Sequence, residues 1–106
     1  MTMANLFCFG TEPFWSLGKP QIGRITLDML DGDASSWRQN ISHRAQGRTD
    51  RFSAVGIGED GEIIVTLLRE SCSDGMSDRI FGIATDVIVT GADPMHLSGC
   101  CTLQAN

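Results

Sequence analysis

Apolar and polar residues alternate along several short segments of the chain, as they do in strands with one buried face. The clearest alternation is in 24–29, and an Asp-Gly pair at 31–32, a strong signal for a hairpin turn, follows it. Segment 36–42 beyond this turn is ambiguous, because Trp37 and Ile41 also have helical spacing. Its position after the turn favours a strand that pairs with its predecessor.

Turn residues at 58–61 and 91–94 predict two more hairpins, because Gly, Asp and Pro favour the backbone conformations that tight turns need. Two further segments with strand character precede the first hairpin. The sequence therefore predicts eight short strands, at 5–9, 14–17, 24–29, 36–42, 51–57, 62–69, 80–90 and 96–103.

Short strands joined by glycine-containing turns are typical of sandwiches and barrels. Glycine makes up 12 of the 106 residues, which suits many turns. Consecutive hairpins favour an up-and-down meander, and its closure removes exposed strand edges. We therefore predict an all-β fold, a small antiparallel meander of about eight strands that closes into a disulfide-stabilised barrel. Residues 1–106 form one domain, with 1–4 expected to be disordered or vector-derived.

Composition and charge exclude several classes of protein. The formal net charge of −5 argues against nucleic acid as a partner, since binding to phosphate backbones requires a basic face. No apolar run approaches the roughly 20 residues of a transmembrane helix, so no transmembrane segment is predicted.

Four cysteines in so short a chain allow three pairings. Cys100 and Cys101 must point to opposite faces of their strand, which disfavours a shared partner. In a closed meander the first strand lies beside the last, so we expect Cys8 to pair with Cys101 and Cys72 with Cys100. The alternative is four free, buried thiols in a reducing cytosol. The spacings lack a Cys-x-x-Cys pair, so a zinc site has little support.

Disulfides imply an oxidising compartment. The predicted location is therefore the periplasm or cell envelope. No secretion signal opens the sequence. We therefore expect the signal to have been removed.

The segment Gly-Thr-Glu-Pro-Phe-Trp at 10–15 lies between the first two predicted strands. Phe14 and Trp15 must point to opposite faces, so one of them enters the core. The functional interpretation is a binding patch formed by Glu12 and Trp15 at one end of the barrel. In the structural alternative, Trp15 plugs that end while Glu12 caps backbone amides.

The segment 71–79 is the longest stretch without an apolar run and contains Asp74, Asp78 and Arg79. Its oxygens suit a hard cation, but it lacks the residue spacing of a Ca²⁺-binding loop. It is either a rigid turn held by its own side chains or a loop that contacts a ligand or a protein.

Catalytic and cofactor motifs are absent from the sequence. No Gly-x-Ser-x-Gly elbow or phosphate-binding glycine loop is present, and His96 is expected at the surface. We predict no catalytic residue, no metal site and no cofactor, and the protein is not expected to be an enzyme.

The motif at 10–15, the Cys-Ser-Asp-Gly-Met-Ser-Asp-Arg segment at 72–79 and the terminal Leu-x-Gly-Cys resemble, in combination, an uncharacterised bacterial envelope family. Its members are small secreted or lipoprotein domains, sometimes found beside META-type or lysozyme-inhibitor-type β-domains. The resemblance implies a secreted all-β domain in which Cys72 and Cys100 match the family's cysteine pair. Cys8 and Cys101 go beyond that pattern, and 80–82 keeps the family's aromatic residue but not its proline. The resemblance brings no established activity.

These features predict a secreted binding or structural domain of the cell envelope that presents the Glu12–Trp15 turn and the Asp74–Arg79 loop at one end. Its partner would be a protein or a small molecule. One alternative is a protein inhibitor of a cell-wall hydrolase such as lysozyme, because an acidic protein attracts a basic enzyme. A second alternative is a small hydrolase or metal-binding protein.

Overall fold

A computed structural model of the chain describes residues 6–11, 13–18, 23–30, 32, 34–44, 50–73, 75 and 78–103. It contains eight antiparallel strands in chain order. These are β1 (Leu6–Thr11), β2 (Phe14–Gly18), β3 (Arg24–Met29), β4 (Ser35–Arg44), β5 (Arg51–Ile57), β6 (Glu62–Ser73), β7 (Ile80–Val89) and β8 (Met95–Leu103).

Each strand pairs with its neighbours in sequence, and β1 also pairs with β8, so a ring of hydrogen bonds closes the meander. The predicted fold class is confirmed, including the ambiguous segment 36–42. That segment is a strand because β3 and β5 pair with it on either side. Within the described residues no helix has the length and apolar character of a membrane span.

The core lies inside the ring and follows the period-2 alternation of the strands. In β1, for example, Leu6 and Cys8 are buried, whereas Phe7 and Phe9 point outward and are half-buried. The other strands supply the rest of the core, which includes Trp15, Leu17, Ile25, Leu27, Trp37, Ala54, Ile63, Val65, Leu67, Ile83, Val87, Val89, Leu97 and Cys101.

Both predicted disulfides are confirmed. Cys8 and Cys101 face each other across β1 and β8, and their bond lies inside the ring. Cys72 is bonded to Cys100, which points outward. The first bridge therefore links the two ends of the meander, and the second lies on its outer surface.

The β6–β7 hairpin is longer than the alternation predicts. The predicted strand ends at Arg69, whereas β6 continues to Ser73 after an irregularity in register between Arg69 and Cys72. Beyond it, Cys72 pairs with Phe81. We call this end of the hairpin, Cys72–Ser73 with Ile80–Phe81, the hairpin tip. A bulge redirects a strand, and the disulfide to Cys100 holds the tip against the outside of β8.

Candidate binding surface

The outer side of β1 carries two phenylalanines, Phe7 and Phe9, where a solvated strand would carry polar residues. Their rings stack with centroids 5.9 Å apart. The ring of Phe81 meets Phe9 edge to face at 4.9 Å, a favourable geometry for aromatic pairs. The hairpin tip is therefore joined to β1 by an aromatic contact as well as to β8 by a disulfide.

The aromatic surface continues from β1 across β2. Phe14 pairs with Thr11, is 45% exposed, and lines an outer groove together with Phe9 and Leu30. Leu30 is 71% exposed, and its N–H donates to the Phe14 carbonyl oxygen at 3.2 Å. We call the outward side chains of Phe7, Phe9, Phe14, Leu30 and Phe81 the aromatic face.

Charged and polar groups border the aromatic face. The guanidinium carbon of Arg79 lies 5.1 Å from the centroid of the Phe81 ring, within the range of a cation–π contact. Asp78 is exposed beside it in the chain, and Asp28 and Ser16 line the groove with Phe14. An apolar surface with a polar border is typical of protein contact sites.

The predicted site residues differ in where the structure places them. Trp15 is only 4% exposed, and its ring packs in the core beneath Gly10 and Gly99. It therefore fills one end of the ring, as in the structural alternative, and does not present its ring to a partner. Asp78 and Arg79 are exposed. Glu12 and Asp74 lie outside the described residues.

The prediction that the two motifs lie at one end is wrong, although each contributes a residue at the aromatic face, Phe14 from the first and Arg79, beside Phe81, from the second. Turns β1–β2 and β6–β7 belong to opposite ends of an up-and-down meander. The hairpin tip folds along the outside and brings Phe81, which follows the second motif, to Phe9, which precedes the first. Phe14, not Trp15, is the exposed aromatic residue of the first motif. The segment Leu-Phe-Cys-Phe, apolar on both faces of one strand, is the sequence signal that marks this surface.

The cysteine bridge at this surface is shielded from solvent. Cys100 points outward but is only 1% exposed, because the hairpin tip covers it. The sulfur of Cys72 lies 3.4 Å from the Gly99 carbonyl oxygen. The tip is therefore a fixed part of the aromatic face.

A second polar pair lies on the outside of β7 and β8. His96 Nε2 is 3.0 Å from Asp86 Oδ1, and both side chains are exposed. Ser98 stands directly opposite Asp86 in the register. In a hydrolase triad the imidazole bonds both serine and carboxylate, whereas among the described residues His96 bonds the carboxylate of Asp86 and not Ser98. Within the described part of the chain, no three His, Cys, Asp or Glu side chains are grouped to hold a metal ion.

Comparison with protein-family models, curated proteins and solved structures finds no match. The resemblance to an envelope family therefore stays a prediction.

Proposed function

We propose that this protein is an extracytoplasmic binding domain that recognises a protein partner through the aromatic face. The observation that supports it is the row of apolar side chains on the outside of β1 and β2, held against the hairpin tip by Cys72–Cys100. Burying Phe14 and Leu30 would be favourable, since removing apolar surface from water contributes about 25 cal/mol per Å². The two disulfides are compatible with an oxidising compartment.

The proposal is tested by comparing the partners captured from a native envelope extract by wild-type protein and by Phe14→Ser/Leu30→Ser. Both side chains are exposed, so their replacement leaves the core intact. The matched control is Leu103→Ser on β8, where the side chain is 54% exposed and lies outside the aromatic face.

We expect one protein to be retained by wild type and control and lost with the double variant. Its purified form should bind the double variant at least about tenfold more weakly, the effect of losing roughly 1.4 kcal/mol. Equal capture by all three proteins, or no specific capture by wild type, would contradict the proposal.

The negative net charge favours a more specific form of this function, which is inhibition of a cell-wall hydrolase. A net charge of −5 would accelerate encounter with a basic enzyme such as lysozyme. Adding the protein to a lysozyme lysis assay should slow lysis, and Phe14→Ser/Leu30→Ser should restore it. Unchanged lysis at high molar excess of the protein would exclude the inhibitor function. The proposal of a binding domain would then still be tested by the capture experiment.

A further inference from the structure

The ring has a groove at the end where the β3–β4, β5–β6 and β7–β8 turns lie. The groove has a volume of about 850 Å³ and reaches from β3 and β4 across to β7 and β8. The buried side chains of Leu27, Trp37 and Val89 form its apolar floor, and the half-buried Met29 and Met95 also line it. Small-ligand sites commonly occupy the mouths of closed sheets and have this kind of lining.

One wall of the groove is a preformed pair of turns. Asp60 Oδ2 accepts the Ala92 N–H at 2.9 Å, and the Thr90 N–H donates to the Glu62 carbonyl oxygen at 2.9 Å. Gly91 makes the close approach possible, because a side chain there would collide with the backbone of Asp60. The β5–β6 and β7–β8 turns are thereby locked together, so this wall needs little ordering when a ligand binds.

Another part of the lining includes an unpaired strand edge. The pairing of β4 with β5 begins at Arg38, opposite Ile57, so Ser35–Trp37 extend beyond it. Among the described strands, these three residues pair with β3 alone. Ser35, Ser36 and Trp37 line the groove, and Gly58 lies against the Trp37 ring, so the unpaired edge is that of Ser35 and Ser36. A strand edge of this kind can accept an extended peptide through main-chain hydrogen bonds.

Charges of both signs line the groove, with Arg24 and Arg38 on β3 and β4 and Glu59 and Asp93 on the two turns. Arg24 and Arg38 are direct cross-strand partners, a destabilising arrangement of like charges. Among the described residues neither has a carboxylate partner. Glu59 and Asp93, on the locked turns, likewise have no cationic partner there. A ligand with an ammonium group at one end and a carboxylate at the other would neutralise both.

We infer that this groove binds a short peptide with free termini and apolar side chains, extended along the edge of β4. Its ammonium group lies at Glu59 and Asp93, its carboxylate at Arg24 and Arg38, and its side chains on the floor around Trp37. Met29 also lines the outer groove beside Phe14, but the charged groups and the strand edge that hold the peptide lie outside the aromatic face, so the inference does not depend on the proposed function.

Calorimetry with trileucine tests this inference. Trileucine is compared with its N-acetylated and C-amidated forms, on wild type and on two charge variants, Glu59→Gln/Asp93→Asn and Arg24→Gln/Arg38→Gln. The control, Arg51→Gln/Glu70→Gln, neutralises one exposed charge of each sign outside the groove.

We expect saturable binding of trileucine to wild type and control. Each blocking group should weaken it about tenfold, the effect of losing a hydrogen bond to a charged group. Acetylation should have little further effect on the Glu59/Asp93 variant, and amidation little further effect on the Arg24/Arg38 variant. Absence of saturable binding would overturn the inference. The same would follow if neither blocking group changed the affinity of the peptide. Amide chemical-shift changes confined to the aromatic face would also overturn it.

Discussion

Phe14 and Trp15 are neighbours in the sequence but have opposite roles in the structure. Trp15 points into the ring and packs in the core, whereas Phe14 points outward and borders Phe9. Alternation along β2 requires that the two side chains diverge. It does not determine which of them is inward. That depends on the register with β1, where Trp15 is the partner of Gly10.

Two glycines make room for the Trp15 ring. A Cβ at Gly10 would lie 2.7 Å from Trp15 Cε2, and one at Gly99 would lie 2.9 Å from Trp15 Cζ2. Neither position has space for a methyl group. Trp15 can be buried at this end of the ring because both neighbours lack a side chain.

Gly10→Ala should therefore destabilise the protein by about 1–3 kcal/mol, the usual cost of overpacking a core. The measurement is urea denaturation followed by circular dichroism. Gly82→Ala is the matched control, since a Cβ at Gly82 has no heavy atom within 4 Å. We expect that control to change the free energy of unfolding by no more than about 0.5 kcal/mol. A Gly10→Ala protein as stable as the control would show that Trp15 can move at little cost.

At the scale of the element, the β6–β7 hairpin determines what the outer surface looks like. The irregularity after Arg69 and the Cys72–Cys100 bond place its tip over β8, where Phe81 meets Phe9. Without the tip, Phe9 would be more exposed and Cys100 would lose its cover. The hairpin thus completes the aromatic face.

Replacing this bridge, as Cys72→Ala/Cys100→Ala, should release the tip. The chain-entropy relation assigns about 3–4 kcal/mol to a loop with the observed separation of 28 residues. Hydrogen exchange read by mass spectrometry should show lost protection at 71–73 and 80–82. Residues 63–67 of the same strand serve as the internal reference and should remain protected when the protein is folded. Unchanged exchange at the tip would mean that the aromatic contacts alone hold it.

At the scale of the whole molecule, the pairing of β1 with β8 defines the fold. Cys8 and Cys101 are opposite each other in this pairing and are separated by 93 residues. The bond therefore closes almost the entire chain into a loop. Such a bond restricts the unfolded chain more than the shorter Cys72–Cys100 loop does.

Cys8→Ala/Cys101→Ala should consequently lose about 4–5 kcal/mol, roughly 1 kcal/mol more than Cys72→Ala/Cys100→Ala. That loss is a large fraction of the 5–15 kcal/mol by which small domains are stable. Parallel urea titrations of the two double variants and the wild type measure the difference. A smaller loss for Cys8–Cys101 than for Cys72–Cys100 would show that loop length does not set the order of the two bridges.

Much of the fold could be predicted because its signals are local. Alternation located the strands, and Asp-Gly and Gly-rich segments located the turns. Opposite orientations of Cys100 and Cys101, together with closure of the meander, gave the correct pairing of the cysteines. The predicted end of β6 was wrong because its extension depends on Phe81 and Cys100, which lie elsewhere in the chain.

The candidate site was harder to predict than the fold. The sequence identified the two motif segments. Its apolar segment 6–9 also marks the surface, but no binding surface was predicted from it. It did not show that Phe14, Phe9 and Phe81 would share one surface, since they come from three strands. Nor did it show that Arg24 and Arg38 would stand side by side at a groove.

The sequence by itself determined the strands, the turns and the disulfide pairing of this protein, because period-2 alternation and turn chemistry act over a few residues. Only the tertiary structure decided that Trp15 is core, that the hairpin tip lies over β8, and that charges of both signs line the groove. Those features depend on strand register and on contacts between residues far apart in the chain. The local alternation of apolar and polar residues allows several such arrangements, and packing of the side chains selects one of them.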